Sequence, residues 1–206
     1  MKNAVLFMSL LLATDVGSID AAPRPDARVA IRTYNYAAVA TDQFTAAKTE
    51  AERIFKRAGI AIDWIECRVP GSVFGAACTE PLLAGRDLML RLTERIPTDR
   101  SRIVALGESM LDRDQRDGVL MTIDLFPVRA VASRTSAAMV TLLGRAIAHE
   151  MGHLLLRSAE HPRMGLMRAL WTTDELRGLK PAHWEFSSRE AALMRQTLRQ
   201  LSRVAD

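Results

Sequence analysis

From Arg28 to Tyr34 the chain alternates apolar and polar side chains, the period-two pattern of a strand with one buried face. Phe44, Ala47, Ala51, Ile54 and Phe55 then recur at three- and four-residue spacing. That spacing predicts an amphipathic helix from a Thr41-Asp42 cap to about Ala58, ended by Gly59. Short apolar or alternating runs predict further strands at Ile60–Ile65, Asp87–Leu92, Ile103–Leu106 and Gly118–Asp124, with Pro127 stopping the last. Near Ser136 the pattern changes. Val140, Leu143, Ile147, Met151 and Leu154 form one helical stripe, and Leu142, Ala146 and Leu156 lie beside a second face. A helix apolar all round is buried on both sides, and Gly152 within it predicts a close approach of backbone to backbone. A final helix is expected from Ser188 to Val204. Strands mixed with helices and ending in two helices predict an α/β (α+β) fold.

The ends of the chain and its composition bound this picture. Lys2 and the apolar run Ala4–Ala13, broken by Asp15 and followed by Ala21-Ala22, read as a signal peptide over residues 1–22. The run is too short to span a bilayer, and no other stretch is a transmembrane candidate. Residues 23–206 suit one domain, with 49% hydrophobic residues in the whole chain to build a core. The net charge of +4 comes mostly from scattered arginines, and aromatic residues are 5% of the chain. Neither a basic stripe nor interleaved aromatics is present, so nucleic acid is not the expected partner. Export in turn bears on Cys67 and Cys78: an even number of cysteines in an oxidising compartment predicts a disulfide. The alternative is a thiolate that caps a metal and holds the protein latent.

The chemistry concentrates in His149-Glu150-Met151-Gly152-His153. Residues four apart lie one above the other on a helix, so two imidazoles can grip one metal ion, and zinc accepts such ligands. Glu150 then stands beside the metal without being a ligand, placed to take a proton from water. Three of the four histidines fall within thirteen residues. His161 can supply a third ligand if the chain turns back after the helix, leaving a fourth position open. Glu175, further along, is the alternative third ligand. The plainer reading is a buried helix whose histidines only hydrogen-bond. His183, the fourth histidine, reads as structural or surface-exposed.

HExxH, a spaced third histidine and then Gly165-Leu166-Met167 resemble the metzincin clan of zinc endopeptidases. The pattern looks closest to small secreted bacterial proteins with HExGHLLL…H…GLM and a following R-A-x-W, here Arg168-Ala169-Leu170-Trp171. The usual metzincin motif is HExxHxxGxxH; here Leu156 stands in the glycine's place and the third histidine comes two residues later. The resemblance implies zinc ligands His149, His153 and His161, general base Glu150, and Met167 in a turn beneath the metal. It also implies a small metzincin-like zincin: a twisted mixed sheet to about residue 155 with an active-site helix, then a helical C-terminal subdomain over 156–206. The expected function is an exported zinc-dependent endopeptidase carrying one catalytic zinc and acting on peptide or protein substrates. The alternative is an exported zinc-binding module without catalysis.

Overall fold

The computed structural model describes residues 27–68, 75–83, 87–95, 105–112, 114, 117–178 and 181–202. The expected signal peptide and the end of the last helix lie outside them. Five strands form one sheet in the order β2-β1-β3-β5-β4: β1 (Ala27–Asn35), β2 (Ile60–Arg68), β3 (Asp87–Thr93), β4 (Gly107–Met110) and β5 (Leu120–Asp124). β1, β2, β3 and β5 run parallel, and β4 pairs antiparallel with β5 at the sheet edge. Five helices accompany them: α1 (Thr41–Arg57), α2 (Leu125–Thr135), α3 (Met139–Leu156), α4 (Thr173–Arg177) and α5 (Ser188–Ser202).

The alternation read from the sequence sorts the sheet into two faces. Val29 and Ile31 of β1, Leu88, Leu90 and Leu92 of β3, and Met121 and Ile123 of β5 enter one core. The predicted α1 stripe fills its other side: Phe44, Ala47, Ala51, Ile54 and Phe55 are all buried. α3 lies at the centre, against α1, α2, α5, β4 and β5. Its residues Leu142 through Leu155 are buried without a break, as a helix apolar all round requires. On the opposite face, Arg32 and Asp87 form a buried ion pair at 2.9 Å. The Arg32 guanidinium also donates to the carbonyls of Glu80 and Pro81, drawing residues 75–83 over that face.

Several expectations are corrected. The fourth strand is not Ile103–Leu106 but Gly107–Met110; Ala105 and Leu106 precede it, and 103–104 lie outside the described residues. Its outward residues Glu108 and Met110 are exposed, so an edge strand here needs no apolar run. Pro127 does stop β5, but as part of the first turn of α2, a helix the periodicity did not predict. A proline there removes an N–H that has no partner within the helix anyway. Asp124 caps α2, accepting from Phe126 N at 3.2 Å. α3 accordingly begins at Met139 rather than near Ser136, which caps the end of α2 in the left-handed conformation (φ 57°). Thr41 is the first residue of α1 and not its cap, which is Ala40 with no side-chain bond. The close backbone approach falls at Gly144, where a Cβ would stand 2.5 Å from the Ala47 carbonyl oxygen of α1. At Gly152 the close neighbours are side chains, Met167 and Phe186.

Cys67, at the end of β2, is bridged to Cys78, with Cα atoms 5.4 Å apart. Neither thiol is therefore free to cap a metal. The bridge fastens the 75–83 segment beside Arg32. In the chain-entropy picture a ring of this size contributes about 3 kcal/mol. Replacing both cysteines with serine should lower unfolding free energy in urea by about that amount. Two thiols reactive without reductant in the wild-type protein would contradict the bridge.

Candidate metal centre

His149 and His153 stand one turn apart on α3, both buried, at 8% and 6% exposure. His161 reaches them because the chain reverses directly after the helix. Arg157 caps α3 in the left-handed conformation (φ 52°), doing at a non-glycine residue what glycine does at many helix ends. The Ser158 amide donates back to the His153 carbonyl at 3.2 Å. The absent glycine of the usual motif is thus replaced one residue later, and His161 follows on the returning chain.

Two backbone carbonyls orient the buried rings. His153 Nδ1–H donates to Ser158 O at 2.7 Å, and His149 Nδ1–H donates to Leu166 O at 3.0 Å. A carbonyl can only accept, so each proton sits on Nδ1 and each Nε2 presents a lone pair. Those Nε2 atoms are 3.1 Å apart, and His161 Nε2 is 3.2 Å from that of His153. Candidate ligand atoms from all three rings lie within 4.8 Å of one another. Two nitrogens each about 2.0–2.1 Å from a tetrahedral zinc stand about 3.3–3.4 Å apart, so the donor set fits zinc in number, type and spacing. Burial drives the His149 pKa down to about 4, against the bond to Leu166, and lowers that of His153 as well. Both rings are therefore neutral at neutral pH, the state a metal requires.

Along α3 between the two histidines the packing is apolar. Met167 is fully buried, and its sulfur lies where a Cβ on Gly152 would clash, at 2.5 Å. Gly152 thus lets this methionine seat against α3 between the two histidine positions. Trp171 sets its ring edge-on to His149, with centroids 5.7 Å apart, and donates to the same Leu166 carbonyl at 3.3 Å.

Glu150 points from α3 toward β4. A Cβ on Gly107 would lie 2.8 Å from its Cγ, so that glycine lets the edge strand come close. Ser109 Oγ is 2.6 Å from Glu150 Oε2 and 2.8 Å from its carbonyl oxygen. Burial raises the Glu150 pKa to about 7, the Ser109 bond opposing and the Glu108 charge adding to it. A cleft of about 430 Å³ opens here, lined by Glu108 and Ser109 of β4, Val131 of α2, the three histidines, Glu150, Trp171 and Leu176. Such an arrangement can hold a cation, admit water and move a proton beside it.

The other histidine and Glu175 stand outside this cluster. Glu175 accepts from the Arg168 guanidinium and from Thr172 N, forming a capping box at the start of α4. His183 is half-exposed, with Nδ1 3.7 Å from Glu175. Sequence reasoning missed Ser109, Gly107 and the two carbonyls. Gly-Glu-Ser-Met does alternate inward and outward, a signal too short to outweigh the apolar run before it.

A parallel sheet with one antiparallel edge strand, crossed by a helix that carries two of three clustered histidines, is a metzincin-like zincin fold. Among solved structures the chain is similar to archaemetzincin from Methanopyrus kandleri, at 12% identity and a TM-score of 0.52, covering 87% of this chain and 99% of that one. It is equally similar to a zinc-dependent peptidase from Methanocorpusculum labreanum (strain Z), again at 12% identity and 0.52, covering 80% and 99%. No family model and no curated protein matches the sequence.

Without metal, the site carries two opposed pH loads. The histidine pKa values are depressed, so the unfolded chain binds more protons below about pH 6.5 and stability falls as pH drops toward about 4. Glu150 is raised, so its contribution is present below pH 4.5 and lost as pH rises to about 7. Glu150→Gln should therefore stabilise the chelator-treated protein by about 1–3 kcal/mol at pH 8 and change it little at pH 4. Urea unfolding at both pH values tests this; an equal effect at the two would contradict it.

Proposed function

We propose that the protein is an exported zinc-dependent endopeptidase, with residues 1–22 a signal peptide and 23–206 one domain. The observation that carries the reading is the convergence of three Nε2-bearing rings beside a buried carboxylate in an open cleft. His149, His153 and His161 are the zinc ligands. Zinc held there supplies Lewis acidity, lowering the pKa of water at the open position and polarising a carbonyl. Glu150 is the general base: it takes the proton of the attacking water and hands it to the leaving amine, so that an amide bond and one water become a carboxylate and an amine. Ser109 holds the carboxylate toward the cleft. β4 is the outer strand of the sheet and borders the cleft, so its free edge can align an extended peptide by main-chain bonds. Met167 serves as an apolar floor. The zinc-dependent peptidase and archaemetzincin that share this fold support the same chemistry. Among the described residues no helix is long and apolar enough to cross a membrane.

The second reading is an exported zinc-binding module without catalysis. It leaves Glu150 unexplained, because a binder gains nothing from a desolvated carboxylate beside its metal. Glu150→Gln separates the two. The variant should keep its zinc while turnover on a peptide library falls by roughly 10²–10⁴-fold. His149→Ala and His153→Ala should lose the zinc. Cleavage by Glu150→Gln at the wild-type rate would remove the carboxylate from the mechanism. Zinc-loaded wild type that cleaves nothing and does not bind a hydroxamate would favour the module.

A further inference from the structure

Resting on the reading of the three histidines as zinc ligands, we infer that Arg168 and Glu175 are positioning residues that hold the Leu166 carbonyl against His149. The carbonyl lies in a tight turn: Gly165 has φ +82°, and Leu166 N donates to Glu185 O at 3.0 Å. Arg168 closes the turn from within, donating from Nε to Gly165 O at 2.9 Å. The same guanidinium donates through Nη1 to Glu175, which draws the Glu175 carboxyl down to about 2. Glu175 is in turn tied to Thr172 by its capping box, with Thr172 N donating to Oε2 at 2.8 Å. α4 itself is anchored, Leu176 being buried and Arg177 Nε donating to Thr135 O at the end of α2 at 2.8 Å. A continuous set of bonds therefore runs from α2 through α4 and the Arg168–Glu175 pair to the turn, and from the turn to His149.

Arg168 is suited to this task. Arg168 borders the cleft, but its Nε and Nη1 are both committed away from it, to the Gly165 carbonyl and to Glu175. Arginine at this place leaves one polar atom, its buried Nη2, unsatisfied, which an apolar residue of similar size would not do. What the guanidinium adds is a rigid planar fork that reaches the Gly165 carbonyl and the Glu175 carboxylate at once, in fixed directions. His153 takes its orientation from Ser158, in a different turn. Loss of the pair should therefore loosen one ligand and spare the other. A general loss of stability would not discriminate between them.

The test uses the full mature chain, measuring zinc affinity by chelator competition and histidine tautomers by nitrogen-15 NMR on the zinc-free protein. In Arg168→Met the zinc dissociation constant should rise by roughly 10–100-fold, the usual effect of removing an outer-shell partner. His149 should lose its single Nδ1–H tautomer while His153 keeps it. Arg168→Lys should fall between wild type and Arg168→Met, because an ammonium cannot span both acceptors, and Glu175→Gln should shift both readouts in the same direction. If Arg168→Met does not fold, the lysine and glutamine variants carry the test. Unchanged zinc affinity and an unchanged His149 tautomer, with only a lower melting temperature, would make the pair merely structural and overturn the inference. Wild-type protein that binds no zinc would overturn both this inference and the proposed function. Wild type that binds zinc beside variants that bind it equally well would overturn this one alone.

Discussion

Two imidazole nitrogens with their lone pairs facing each other across 3.1 Å, inside a helix buried on every side, form an arrangement that repels itself. It persists because the Ser158 and Leu166 carbonyls each hold a proton on the far nitrogen of the ring. A cation between the rings turns that repulsion into attraction, and the rest of the site follows from this constraint. Both rings must stay neutral, which burial ensures by lowering their pKa values. Both carbonyls must stay in place, which requires the chain to reverse twice within ten residues of the helix end. Arg157 makes the first reversal and Gly165 the second, each with a positive φ.

The fold holds these reversals against α3 by packing from two directions. On one side α1 closes on α3 at Gly144, whose missing side chain admits the Ala47 carbonyl. On the other, Met167 and Phe186 close on Gly152. Arg145 joins the two sides: its guanidinium lies 3.7 Å from the ring of the buried Trp184 and pairs with Glu50 of α1 at 3.3 Å. A desolvated cation over an indole is worth roughly 2 kcal/mol, and here it fastens the C-terminal segment on which Leu166 depends through Glu185. The single antiparallel strand lies where the cleft needs an open edge. Gly107 lets it approach Glu150, and Ser109 ties it there.

The histidine cluster was legible because a metal site on a helix imposes side-chain types at a fixed period, and His149, Glu150 and His153 meet that demand in five residues. The amphipathic stripe of α1 and the alternating strands β1, β2 and β3 were legible for the same reason, since burial imposes a period. α2 was not. Leu125-Phe126-Pro127-Val128 is a short apolar run whose proline is equally compatible with a strand stop and with the first turn of a helix. β4 was misplaced because Ile103-Val104-Ala105-Leu106 has the composition of a buried strand, while an exposed edge strand of four residues can be polar and carry a glycine. The orienting carbonyls left no trace at all. Ser158 and Leu166 act through backbone oxygen, which every residue has, so only the path of the chain selects them. Arg157 in a left-handed cap is similar: the conformation is imposed by the turn and runs against the residue's own preference.

The central claim is that three imidazoles and one open position bind zinc in this cleft. X-ray absorption at the zinc edge of the mature, zinc-loaded protein tests it most directly. The account predicts four light ligands at about 2.0–2.1 Å, three with the outer-shell scattering of imidazole and the fourth an oxygen that a hydroxamate replaces. A sulfur shell near about 2.3 Å, a closed fourth position that hydroxamate leaves unchanged, or a spectrum with only two imidazoles would contradict it.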